Sequence, residues 1–108
     1  MGFSDKKQTV VLQQNVDVVF KAMVQVITGM KDYTIASSGP STHQMHLTQG
    51  MSALSWGSDV LISMAAQGGD QTALTVEVKS KMPTELFVGG KHQKTIDAIL
   101  ADLRKVLG

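Results

Sequence analysis

The chain has no cysteine, which removes a disulfide framework, a thiolate metal site and a cysteine nucleophile together. Aromatic residues are scarce as well: one Trp, one Tyr and three Phe among 108 residues. Charge of one sign is missing too. Ten Lys and Arg face nine Asp and Glu, a net charge of +1, so the basic excess expected of a dedicated nucleic-acid binder is absent. No apolar run approaches the ~20 residues needed to cross a bilayer. Met1-Gly2-Phe3-Ser4-Asp5-Lys6-Lys7 leads into no apolar signal-peptide core. Lys6 stands where N-myristoylation requires Ser or Thr. The expectation is a soluble cytoplasmic protein without a nucleic-acid partner and with membrane contact disfavoured.

What is present suits one small globular domain spanning residues 1–108. Hydrophobic residues make up 43% and charged residues 18%, a balance that supports a core and argues against wholesale disorder. Residues 8–14 alternate as a strand, with Val10 and Leu12 on one face. Asn15 is a helix N-cap, and Asp17 suits the positive end of the helix it opens. Val16, Val19, Phe20, Met23, Val26, Ile27 and Met30 then form an apolar stripe at helical spacing, closed by Gly29.

Alternation returns over residues 31–37, with Tyr33 and Ile35 on one face, and over 42–49 after the turn Ser38-Gly39-Pro40-Ser41. Residues 59–67 and 72–80 alternate again, with Val60, Ile62 and Met64 in the first and Leu74, Val76 and Val78 in the second facing inward. Gly68-Gly69-Asp70 between them reads as a hairpin turn. After Pro83 a connector leads to a second helical stripe: Ile96, Ile99, Leu100, Leu103, Val106 and Leu107. The order β-α-β-β-β-β-α predicts a two-layer α+β domain. Its curved antiparallel sheet of about five strands has one face covered by two helices and the other solvated.

Several short motifs resemble those of a group of small bacterial domains of uncharacterised function. They are Val16-Asp17-Val18-Val19-Phe20-Lys21-Ala22, Trp56-Gly57 before a strand, Pro83-Thr84, Gly90-Lys91 and the later Ile96. The element order resembles the TATA-binding-protein-like fold, related to the helix-grip fold. Val88-Gly89 departs from the pattern, in which an Asp or aromatic residue is expected before the Gly-Lys pair. The resemblance implies no settled activity. The broader fold spans small-molecule and lipid binders, membrane-surface modules and peptide adaptors, so function must come from a site.

Gly89-Gly90-Lys91 invites a phosphate-loop reading, but Glu85 and His92 occupy the places of a required Gly and Ser or Thr. A helix N-terminus with Lys91 and Lys94 can still attract an anion; the plainer reading is a solvated basic helix start. His43 and His46 are predicted on opposite faces of a strand, so they form no simple two-ligand clamp, and no metal or other cofactor is expected. No Gly-x-Ser-x-Gly and no paired acids suggest catalysis, and the chain is read as a non-enzyme. Trp56 beside Gly57 could rim a pocket, although a packing role is preferred. Met23, Met30, Met45 and Met64 fall on inward positions, where methionine fills irregular gaps or yields to an apolar ligand.

The reading is a non-catalytic binding module with an apolar cavity between sheet and helices. Its candidate ligand residues are Trp56, Met64, Phe87, Gly89, Gly90 and Lys91, and its ligand is small and apolar or anionic. The alternative is a protein- or membrane-surface adaptor, or a homodimer, using the exposed sheet face or the basic end around Lys79, Lys81, Lys91 and Lys94.

Overall fold

The computed structural model describes residues 6–30, 33–39, 41–49, 58–80 and 89–107. In chain order the elements are β1 (Lys6–Leu12), α1 (Val16–Thr28), β2 (Tyr33–Gly39), β3 (Gln44–Gln49), β4 (Ser58–Ala66), β5 (Thr72–Ser80) and α2 (Gly89–Leu107). The expected β-α-β-β-β-β-α order is observed. Strands β2 to β5 follow one another as antiparallel neighbours, and β1 joins the free edge of β5, giving the order β1-β5-β4-β3-β2. First and last strands therefore lie side by side, paired from Lys6↔Val78 to Leu12↔Thr72.

Period-2 patterning decides which face the helices cover. Met45 and Leu47 of β3, Val60 and Ile62 of β4, and Leu74, Val76 and Val78 of β5 are all buried. Against them α1 packs Val19, Met23 and Ile27, and α2 packs Ile96, Ile99 and Leu103, none more than 1% exposed. At roughly 25 cal/mol per Å2 of apolar surface removed from water, this layer is the main driving force for the fold. Thr72 and Thr95 are the buried polar residues among those described.

Local chemistry sets the ends of α1. The Asn15 side chain accepts a hydrogen bond from the Asp17 backbone N–H at 2.7 Å, satisfying one of the free donors of the first turn. Gly29 terminates the helix, its N–H bonded to the carbonyls of Gln25 and Val26. In the β4–β5 hairpin, Gly68 and Gly69 take φ of +81° and +57°, a region open to glycine without a Cβ penalty. Gln67 N–H donates to the Gln71 carbonyl at 2.9 Å and closes that loop.

Several strand boundaries differ from the sequence reading: β2 runs on to Gly39, β3 starts at Gln44 and β4 spans Ser58–Ala66. β1 starts at Lys6 and stops at Leu12, before Gln13 and Gln14. Those two residues leave the ladder because Thr72 Oγ1 donates to the Gln14 carbonyl and Gln71 Nε2 to Gln13 Oε1, steering the chain toward α1. At the other edge Ile35 pairs with buried Leu47, yet it is 37% exposed. A register shift between Ile35 and Ser37 bends β2, and its residues 34–38 are exposed on both faces. The inward side of β2 is thus covered only at its start, where Tyr33 packs against the core.

Candidate functional site

Trp56 and Phe87 lie outside the described residues, as does the connector before α2. The strand ends nearest to them in sequence, Ser58 and Ser80, are paired neighbours at one end of the sheet. Gly89, Gly90 and Lys91 lie in the first turn of α2 rather than in a loop before it. Glycine is tolerated there because the first-turn N–H groups have no intrahelical partner to lose. Met64 stands opposite Leu74, near the other end of β4 from Ser58. At ~3.3 Å per strand residue that separation is roughly 20 Å. Met64 is thus held far along β4 from Ser58, the described residue nearest Trp56 in sequence.

Between them the described interior is packed. Leu47, Val60, Leu74, Val76 and Val78 carry no accessible surface, and neither do Met23, Ile96, Ile99 and Leu103 above them. A side chain bordering a void large enough for water would show surface toward it, so none borders these residues. Gln93 at the α2 start ties the helix to the β1 edge, its Nε2 donating to Gln8 Oε1 at 3.0 Å and to Asp97 Oδ1 at 3.0 Å.

The histidines separate, for a reason that alternation does not supply. His43 sits in the turn before β3 with φ of +55°, so it is not a strand residue. Its carbonyl accepts the Met64 N–H at 3.0 Å. Its Nε2 lies 2.8 Å from Asp17 Oδ1, and its ring meets Phe20 edge-on at 5.8 Å. His43 thereby pins the β2–β3 turn to the first turn of α1. His46 occupies the opposite side, on the sheet face away from the helices, with Nε2 3.1 Å from Asp59 Oδ1. Neither imidazole holds a hydroxyl nucleophile among the described residues. No group of three or more potential metal ligands occurs among them either.

Three hollows open on the described surface. One of about 570 Å3 lies over Asp17, Phe20, Lys21 and Val24 of α1. A shallower one of about 280 Å3 lies where the C-terminal ends of the helices meet, beside Met30 and Val106. The third, about 520 Å3, lies on the outer face of the sheet and brings together Lys7, Ser37, Gln44, His46, Ser63 and Glu77. The alternation that sets Leu74, Val76 and Val78 inward leaves Thr75, Glu77 and Lys79 outward, but that hollow draws on all five strands. Its composition depends on strand order and register, which alternation alone does not encode.

No helix among the described residues is long and apolar enough to cross a membrane. No protein-family model and no curated protein matches the sequence. Solved structures do. The chain is similar to a START superfamily protein from Mycobacterium smegmatis, with a TM-score of 0.65 and 14% identity over 92% of this chain and 93% of that one. It is similar to the Zhui aromatase/cyclase from Streptomyces sp. R1128, with a TM-score of 0.62 and 12% identity over 96% and 91%. The di-domain ARO/CYC BexL matches with a TM-score of 0.66 and 9% identity, over 95% of this chain and 46% of that one. The TATA-binding-protein-like expectation thus moves to a related arrangement of sheet and helices. At identities this low the likeness speaks for architecture alone: the chain has the START-like α+β fold.

Proposed function

We propose that the protein is a small-molecule binding module that takes an apolar ligand between its sheet and its helices and carries out no catalytic step. The observation that carries this reading is a continuous apolar inner face, including Met23, Met45 and Met64, on a START-like fold. In this proposal the ligand meets Trp56, Phe87, Gly89, Gly90 and Lys91 at its entrance and Met64 at the deep end of the space. Lys91 gives the entrance a positive charge suited to an anionic head on an otherwise apolar molecule.

Because no water-sized void borders the fully buried residues of the inner face, the ligand is accommodated by displacement. α2 moves outward from β5 and β1, and the unbranched methionines re-pack around the guest. The two imidazole–carboxylate pairs lie outside this space, at the α1 turn and on the outer sheet face. This supports binding without a catalytic step, although two of the similar structures are named as aromatase/cyclases.

Native mass spectrometry of the purified protein, followed by titration with 1-anilinonaphthalene-8-sulfonate, tests the reading. The expected result is a co-purified apolar mass, or saturable dye fluorescence with a rise in Tm. Ligand at a hundred times its Kd stabilises the native state by about 2.7 kcal/mol. A bare protein mass together with a dye signal that appears only on unfolding would overturn it.

A further inference from the structure

We propose that the outer face of the sheet is a second, separate ligand site, shaped for a small, neutral, polyhydroxylated molecule such as a mono- or disaccharide. The strand register lays two parallel rows across all five strands. One row reads Lys7, Glu77, Leu61, His46 and Ser37; its neighbour reads Thr9, Thr75, Ser63, Gln44 and Gly39. Strands about 4.8 Å apart and rows about 7 Å apart set these groups on a grid. The hollow of about 520 Å3 lies over that grid and falls within the usual size range of small-molecule pockets.

The chemistry of the grid selects the ligand. The hydroxyls of Ser37 and Ser63 both donate and accept, Gln44 offers two donors and an acceptor, Glu77 only accepts and Lys7 only donates. That mixture matches a molecule whose hydroxyls are themselves donors and acceptors. Lys7 and Glu77 face each other across β1 and β5, so the charge lining the hollow sums to zero and favours neither an anion nor a cation. Their side chains do not form an ion pair with each other, and the ion pairs among the described residues are both histidine–aspartate. Ser37, Gln44 and Ser63 likewise make no side-chain hydrogen bond among the described residues, leaving their polar atoms to solvent or ligand.

Two neighbours are held in place instead. Asp59 fixes the His46 ring, and Thr9 is hydrogen-bonded to Thr75 at 2.9 Å. The half-buried Leu61 supplies one apolar patch in the middle of the grid, suited to the C–H face of a sugar ring. An apolar guest would leave the surrounding hydroxyls without partners, which is costly.

The test is a 1H–15N NMR titration of the intact protein with maltose, N-acetylglucosamine and myo-inositol, with sodium hexanoate as an apolar anion. The expected outcome is saturable shifts for at least one polyol, confined to the amides of residues 44–46, 61–63 and 75–77, and none there for hexanoate. Glu77→Ala is expected to weaken polyol binding about tenfold, the usual loss for a hydrogen bond to a charged group. Ser63→Val, on a different strand, should weaken it several-fold, and each variant's own spectrum reports whether it is folded. Flat titrations with all three polyols overturn the proposal, as do shifts centred on α1 or α2, or a preference for hexanoate. Dye bound in the interior should leave these outer-face shifts in place, so failure of either site is read independently.

Discussion

His43 offers a direct measurement of how the β2–β3 turn is held. It is a non-glycine residue at φ +55°, and it spends that conformation on two contacts, Asp17 at 2.8 Å and the Phe20 ring edge at 5.8 Å. His43→Ala removes both contacts and keeps the backbone strain. The edge-on aromatic contact is worth about 0.5–1.5 kcal/mol. The Asp17 pair adds at most about 1 kcal/mol, because that carboxylate is 71% exposed and well screened. A loss of about 1–2 kcal/mol is therefore expected.

His43→Gly removes the same contacts but releases the left-handed backbone. Relief of a Cβ in that region is worth about 1–2 kcal/mol, offset by about 0.5–1 kcal/mol for the greater freedom glycine has when unfolded. The Gly variant should be the more stable of the two by about 0.5–1 kcal/mol. For a domain near this size that is a Tm difference of roughly 2–8 °C. Urea unfolding of both variants, followed by far-ultraviolet circular dichroism, measures the difference directly. At an ordinary helix or strand position the order is reversed, with Ala above Gly. Finding Ala the more stable would refute the strained turn, and finding both equal to wild type would refute the clasp between turn and helix.

Leu47→Ala empties a site with no solvent exposure at the centre of the inner face, and should cost about 2–5 kcal/mol in urea unfolding. Ile35→Ala, on the exposed edge paired to Leu47, should cost far less, within about 1 kcal/mol. Thr72→Val keeps the shape of a fully buried side chain but deletes the donor to the Gln14 carbonyl at 2.8 Å. A loss of about 1–3 kcal/mol is expected, with Thr72→Ser retaining most of the stability; equal losses for Val and Ser would assign the effect to packing instead.

The architecture was legible because two periods carried it. Val60, Ile62 and Met64 alternate at period 2, and the stripe from Val16 to Met30 recurs at helical spacing; each pattern has one element that can bury it. Asn15 and Gly29 were legible as helix ends because capping is local chemistry, and the structure places both where the sequence does. The exposure of Ile35 was not legible for the opposite reason. Its neighbours alternate correctly, but burial at a sheet edge depends on how far the helices reach, and a bulge at β2 turns the strand away. His43 shows the same limit in a turn. Counting alternation from His46 puts it on a strand, whereas the left-handed turn and the Asp17 and Phe20 contacts, 26 residues away for Asp17, decide its position.

Sites are harder to read than folds in this chain because its polar groups act across strands rather than along them. The local motif Gly89-Gly90-Lys91 is the first turn of a helix, as its plainer reading had it, a place where those residues are ordinary. By contrast Lys7, Glu77, His46 and Ser37 come from four separate segments: the register of β2 to β5 aligns the last three, and Lys7 joins them because β1 pairs with the edge of β5. Had β1 paired with β2 instead, every strand pattern would be unchanged and the row would lose Lys7 from beside Glu77. The same insertion of β1 puts Gln8 under Gln93 and so fixes the start of α2. One edge pairing thus completes the outer polar grid and also anchors the helix that closes the apolar interior. A substitution that disturbs the β1–β5 ladder should therefore alter both faces of the sheet together.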